Sequence, residues 1–211
     1  MLYKELWGYD ETWVKNYPCL AGVDEVGRGP LAGNVVAACV ILDLEKPIEG
    51  IQDSKKIKEA KREELFEIIQ KEAFFVGVGQ CSPKEIDRLN ILQATFLAMK
   101  RAIQSVEQKG GKPDMILVDG NHRIPELLHQ QECLIKGDGR SASIAAASII
   151  AKVTRDRQMR ELDKEYPEYG FCDHKGYGSK RHIAALLEHG FIPQHRRSFK
   201  PKALIQTELF T

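Results

Sequence analysis

Ala21-Gly22-Val23-Asp24-Glu25-Val26-Gly27-Arg28-Gly29-Pro30 is the stretch from which the rest of the chain is read. Its apolar lead-in, Cys19 to Val23, predicts a buried strand, which two adjacent carboxylates then break. Carboxylates at the end of a core strand lose solvation, and a metal ion is the commonest compensation. Glycines at positions 27 and 29 remove the side chains that would keep a ligand away from the main chain. Arg28 offers a planar fork suited to phosphate, and Pro30 stops any continuation of the strand. Metal and phosphate together point to phosphoryl-transfer chemistry. Neighbouring residues on a regular strand face opposite sides, so Asp24 and Glu25 share a site only where the strand twists or ends.

Working outward, Asn34 to Leu42 is rich in Val, Ile and Ala and predicts a second buried strand. Asp53-Ser54-Lys55-Lys56 is a polar loop, followed by a helix over Ile57 to Lys71 and a third strand over Ala73 to Gln80. Ser82-Pro83-Lys84-Glu85 combines a capping box with proline at the first helical position. The helix it opens is expected to run unbroken to about Gln108, where Gly110-Gly111 ends it. Asp114 to Val118 and Glu132 to Lys136 read as a fourth and a fifth strand. A long helix from about Ser141 to Glu165 follows, its first half made of small residues that let a helix sit close to a sheet. Beyond a loop over Pro167 to Gly178 comes a helix from Lys180 to His189, with Gly190 just past its end.

Three strands in succession, then strands alternating with helices, predict an α/β fold with a mixed five-stranded central sheet flanked by helices. The sheet begins as an antiparallel meander and continues through parallel crossovers. The chain divides into a catalytic domain over 1–166 and a basic, helical C-terminal extension over 167–211. That extension has little apolar material for a core of its own and is expected to lie against the main sheet as a lid or flank.

At 211 residues, 43% hydrophobic and 29% charged, the chain has the size and composition of one globular domain. A net charge of +1 advertises no nucleic-acid partner, but the distribution is uneven. From Cys172 to Lys202 there are seven Lys and Arg against two acids, together with four of the six histidines. The five cysteines are widely spaced and form no C-x-x-C pair, which predicts reduced thiols in the cytoplasm. Residues 1–16 contain no apolar signal core, and the longest apolar run, Val35 to Leu42, is too short for a membrane span. No membrane partner is expected.

Three predicted strands end in carboxylates flanked by glycine: Asp24-Glu25 near Gly27, Asp119-Gly120, and Gly137-Asp138-Gly139. Ligands gather at strand ends in open α/β sheets, and four converging acids cannot all stay ionised without cations. Two divalent ions about 4 Å apart would neutralise them and support in-line displacement at phosphorus. All-oxygen ligation favours magnesium or manganese over zinc. Each acid also has a plainer reading. Asp119-Gly120 is a common turn pair, and Asp138 stands where a helix takes an N-terminal cap.

With these residues in view, the sequence resembles the type 2 ribonuclease H family, specifically bacterial ribonuclease HII. The resemblance is carried by Gly22 to Gly33, Asp53 to Lys56, Val118 to Gly120, Lys136 to Asp138, Ser143 to Lys152, His174 to Gly178 and His195 to Phe199. It implies a ribonuclease H-like fold and metal-dependent hydrolysis of RNA paired with DNA, leaving 3′-hydroxyl and 5′-phosphate ends. It assigns Asp24, Glu25, Asp119 and Asp138 to the catalytic, metal-binding set, with two Mg2+ or Mn2+ ions. Gly27, Arg28 and Gly29 would read the junction between a ribonucleotide and the DNA that follows, and Tyr177 would meet the ribose there. The implied partners are RNA/DNA hybrids and duplex DNA containing ribonucleotides. The related ribonuclease HIII carries an extra N-terminal substrate-binding domain, for which a motif starting at about residue 22 leaves no room. It also typically has lysine where this chain has Arg28.

Phosphate contacts position a nucleic acid without specifying its sequence, and Lys55 and Lys175, inside matched motifs, are the leading candidates. Lys56, Lys152, Arg155, Lys180, Arg196 and Arg197 are further ones. Ser143, Ala146, Ala147, Ile150, Trp7 and Trp13 read as packing. A DNA-cutting resolvase or integrase on the same kind of sheet is one alternative, and it needs no reader of a 2′-hydroxyl. A non-catalytic nucleic-acid-binding module is another, but it predicts missing carboxylates. No phosphate loop for a small nucleotide is present. The tail from Ala203 to Thr211 shows no defensible sliding-clamp peptide. A monomer without an obligate protein partner is expected.

Overall fold

The computed structural model describes residues 2–52, 54 and 57–199. Strands β1 (Leu20–Val26), β2 (Val35–Ile41) and β3 (Phe75–Cys81) form an antiparallel meander. Strand β4 (Met115–Asp119) pairs parallel to β1, and β5 (Gln130–Leu134) parallel to β4. The sheet order is β3-β2-β1-β4-β5, the mixed five-stranded sheet expected from the element order. Every residue of β2 is buried, which is why its sequence shows no polar alternation.

Helices cover both faces. On one lie α1 (Leu2–Val14), α2 (Glu59–Glu72) and α5 (Ala142–Glu165), whose apolar residues meet Ala38, Val40 and Val76. On the other, α3 (Pro83–Leu89) and α4 (Ile91–Gln108) pack over Val23, Ala37, Cys39 and Val118. The small residues of α5 let it rest directly on β1. A Cβ placed on Gly22 would stand 2.1 Å from the carbonyl carbon of Ser143, so only glycine permits that approach.

Several sequence expectations are corrected. The adjacent carboxylates do not break β1. The strand runs on through Asp24 and Glu25 because its edge towards β2 stays paired as far as Val26 with Val36. The helix expected over residues 82–108 is two helices, divided at Asn90. Asn90 adopts φ 67° and ψ 164°, a region otherwise left to glycine, and its side chain accepts the N–H groups of Leu92 and Gln93 at 3.0 and 3.1 Å. Strand β5 ends at Leu134 rather than Lys136, since Lys136 takes a left-handed conformation leading into the tight turn Gly137–Gly139.

Helix α1 was not foreseen. It buries Leu6 and Trp7, and its Asp10 accepts the N–H and hydroxyl of Ser143 at 2.8 and 2.7 Å in the first turn of α5. The C-terminal segment holds α6 (Phe171–His174) and α7 (Lys180–His189), and it does have a small core. Tyr169, Phe171, Ala185, Leu186 and Ile192 close on Ala32 and Met159 of the main body. All five cysteines are free thiols. No helix among the described residues is long and apolar enough to cross a membrane.

The break at Asn90 gives a stability test. Asn90→Ala is expected to lower the free energy of unfolding by about 1–2 kcal/mol, since it loses the cap and keeps the strain. Asn90→Gly loses the cap but relieves the backbone, so its denaturant midpoint is expected to stay near that of the unaltered chain. Equal losses for the two variants would show that the backbone at residue 90 is not strained.

Candidate active site

The register of β1 against β4 builds the site. Val23 pairs with Val118, so Asp24 and Asp119 follow side by side at the C-terminal ends of neighbouring parallel strands. Pairing with β4 stops there, and the N–H of Glu25 donates instead to Asp24 Oδ1 at 2.7 Å. Ser148 of α5 also donates to the Asp24 carboxylate. Its hydroxyl lies 2.8 Å from that of Ser54. Either hydroxyl can be the donor in that bond. Arg62 fixes the Ser54 segment by donating to the carbonyls of Ser54 and Ile57 at 2.7 and 2.9 Å.

Asp119 Oδ1 accepts the N–H of Gly137 at 2.6 Å, which ties β4 to the turn carrying the buried Asp138. Burial, then the charges of Glu25 and Asp119, push the Asp24 carboxyl well above the usual carboxylate range. Burial raises Glu25 as well, with Arg28 opposing and Asp119 adding to the rise. Arg28 Nη1 stands 3.4 Å from Glu25 Oε1, a long contact from a half-exposed side chain.

Three carboxyls within electrostatic reach and weakly compensated, all offering oxygen, fit a hard divalent cation in charge and donor type. The expected convergence of four acids is looser than a finished cage. Among the described residues, no three Asp, Glu, His or Cys side chains stand grouped as metal ligands.

The glycine step runs on from Glu25. Gly27 has φ +92°, and a Cβ there would stand 2.4 Å from Arg155 Nε. A Cβ on Gly29 would touch the Tyr177 ring at 3.4 Å, so the glycine loop and Tyr177 form one surface. Tyr177 is 49% exposed, and Arg28 and Gly29 are exposed too. Lys175 lies beside them, its Nζ donating to the carbonyl of Cys172.

The family model for Ribonuclease HII matches residues 21–202. The chain belongs to the ribonuclease HII family. It is 57% identical to the Ribonuclease HII of Vibrio vulnificus (strain YJ016) over 187 residues, 89% of this chain and 88% of that one. Among solved structures it is similar to the ribonuclease HII of a PCNA:RNase HII complex from Archaeoglobus fulgidus. There the TM-score is 0.68 at 27% identity, over 87% of this chain and 96% of the other. Bst-RNase HIII in complex with Mn2+ shares the fold, with a TM-score of 0.70 at 17% identity, over 91% of this chain and 70% of the other. The fold is ribonuclease H-like, and this ribonuclease HII family member is a hydrolase.

Two expected phosphate contacts are overturned. Arg155 and Arg196 are 1% and 0% exposed, with their guanidinium groups directed at main-chain carbonyls. Burial, then the charge of Arg155, push Arg196 down to about 9. Lys152 is half-buried and pairs with Asp156 at 2.7 Å. Lys180 and Arg197 remain exposed, the latter over the Phe191 ring. Lys55 and Lys56, and the tail from Ala203 to Thr211, lie outside the described residues.

Sequence reading missed Ser148, Ser54 and Arg62. A signal existed for Ser148 alone, which lies seven residues before Arg155 on the same side of α5. It missed His182 and His195 too. Ile192 N–H donates to His195 Nδ1, so the His195 proton sits on Nε2 and is given to His182 Nε2 at 3.0 Å. His182 then donates from Nδ1 to the carbonyl of Tyr177 at 2.9 Å. Burial lowers the proton affinity of both rings, that of His195 down to about 4.

Gly27→Ala meets both a left-handed backbone and Arg155, whereas Gly110→Ala, with φ +95° and open space, meets only the first. Gly110→Ala is expected to cost about 1–2 kcal/mol of stability, and Gly27→Ala more, with loss of nuclease activity. Equal unfolding energies for the two would show that Arg155 yields freely.

Proposed function

We propose that this endoribonuclease of RNA/DNA hybrids also cuts on the 5′ side of single ribonucleotides embedded in duplex DNA, leaving 3′-hydroxyl and 5′-phosphate ends. The observation that carries this reading is the side-by-side placement of Asp24 and Asp119, with the Gly29–Tyr177 surface beginning a few residues beyond. Asp24, Glu25, Asp119 and Asp138 would hold two divalent ions, Mg2+ or Mn2+. Bound there, the ions would supply hydroxide near neutral pH and a counter-charge for the leaving 3′-oxygen.

The chain's own groups orient that chemistry. Ser148 and the Glu25 N–H hold the Asp24 carboxylate, and the Gly137 N–H holds Asp119. Arg28 and Gly29 expose main chain and a guanidinium to the ribonucleotide–DNA junction, and the buried Gly27 sets the turn that presents them. Tyr177 lies against the ribose that carries the 2′-hydroxyl, the group by which RNA is told from DNA. Lys175 and Lys55 would steady flanking phosphates, and the segment over 167–199 would flank the catalytic body on the substrate side. No side-chain nucleophile is required.

The decisive assay is cleavage of a DNA duplex holding one ribonucleotide, beside an all-DNA duplex, with Mg2+ or Mn2+. A single cut 5′ of the ribonucleotide is expected, with none in the control and none after chelation. Asp119→Asn is expected to lower the rate by more than the roughly 100-fold typical of losing an outer-shell partner. Cutting of both duplexes would instead identify a DNA resolvase, and tight binding without cutting would mean that the carboxylates do not assemble.

A further inference from the structure

Arg196 is a fully buried cation whose acceptors are carbonyl groups. Its Nη2 donates to Gly27 O at 2.6 Å and to Gly33 O at 2.8 Å, its Nε to Gly33 O at 3.0 Å, and its Nη1 to Arg28 O at 3.1 Å. Phe199 lies against the guanidinium, 5.1 Å from its central carbon. Arg155 completes the grip, donating to the carbonyls of Ala32, Asn34 and Lys175 at 2.9–3.0 Å. Burying an arginine is costly, so the arrangement calls for an explanation beyond packing.

We infer that Arg196 is a positioning residue for substrate reading, setting the direction in which the peptide groups of residues 27–29 face. This rests on the function proposed above. In a trans peptide the C=O and N–H point opposite ways. With the carbonyls of Gly27 and Arg28 drawn inward to Arg196, the N–H groups of Arg28 and Gly29 are turned outward. Both residues are exposed, and among the described residues neither N–H has a protein acceptor. The Tyr177 ring stands beside Gly29. The result is a fixed pair of donors next to an aromatic ring, a fit for a phosphate or ribose oxygen. A lysine could not do this, because one ammonium has no planar fork to reach three carbonyls together.

The test follows cutting of the single-ribonucleotide duplex by the intact chain and Arg196→Lys, at a temperature where circular dichroism shows both folded. For the variant, kcat/KM is expected to fall about ten- to a hundred-fold. The Mn2+ concentration giving half-maximal rate should stay unchanged, since the carboxylates are untouched. Arg196→Ala is expected to regain rate with millimolar guanidinium but not with ammonium. Gly29→Pro removes one outward N–H while leaving Arg196 in place, and should reproduce the loss even if neither arginine variant folds. A folded Arg196→Lys, or a Gly29→Pro, that cuts like the intact chain overturns the inference. So does a loss accompanied by a shifted Mn2+ dependence, which would mark Arg196 as a general structural support. If the intact chain leaves this duplex uncut, the proposed function itself fails and takes the inference with it.

Discussion

The parallel pairing of β1 with β4 is the constraint on which the site depends. It stops at Val23 and Val118, while on its other edge β1 stays paired with β2 as far as Val26. The strand therefore projects beyond its parallel neighbour with one edge paired and one edge open, and the carboxylates emerge on that projection. A one-residue slip would turn Asp24 to the opposite face. The register is held by the small residue at Gly22, over which the start of α5 passes, so sheet pairing and helix docking are one decision. That same docking brings Ser148 within reach of Asp24.

The carboxylates so placed are electrostatically uncomfortable. Desolvation is the leading cause of the raised proton affinity of both Asp24 and Glu25, with neighbouring acids adding to it. Such a group favours whatever neutralises it, whether a proton or a metal ion. The hydrogen bonds from Ser148, the Glu25 N–H and the Gly137 N–H keep the acids oriented without neutralising them. The excess of negative charge at this strand end is the property that suits it to a cation.

What the sequence made legible follows local rules. Strand runs, the capping box at Ser82 and the glycine after α7 report themselves through residue pattern, and the element order fixed the mixed sheet. Most misses involve a partner far away in sequence. Helix α1 is tied by Asp10 to a helix more than a hundred residues later. Asn90 breaks a helix through a backbone conformation that asparagine merely tolerates, and no periodicity announces it. Arg155 and Arg196 read as solvent-facing charges because nothing local shows the carbonyls that receive them. The four acids and the glycine step stand out as candidates because they are contiguous or repeat one pattern. The serines and histidines that orient the surface do not, since each acts through a residue on another element.

Those buried arginines also explain why the glycine step cannot be understood as a flexible loop. Gly27 is glycine because Arg155 occupies the space of its side chain, and its carbonyl has a fixed direction because Arg196 receives it. The Tyr177 segment is bound into the same frame, with the Lys175 carbonyl on Arg155, the Gly176 carbonyl on the Leu31 N–H and the Tyr177 carbonyl on His182. Loop and tyrosine thus lie over a layer of cationic and imidazole donors that receives their main-chain carbonyls. The proposed selectivity for one hydroxyl in a duplex would demand donors held to within a fraction of an ångström before the substrate arrives. A loop whose main chain is pinned from beneath meets that demand, and one made flexible by glycine alone would not.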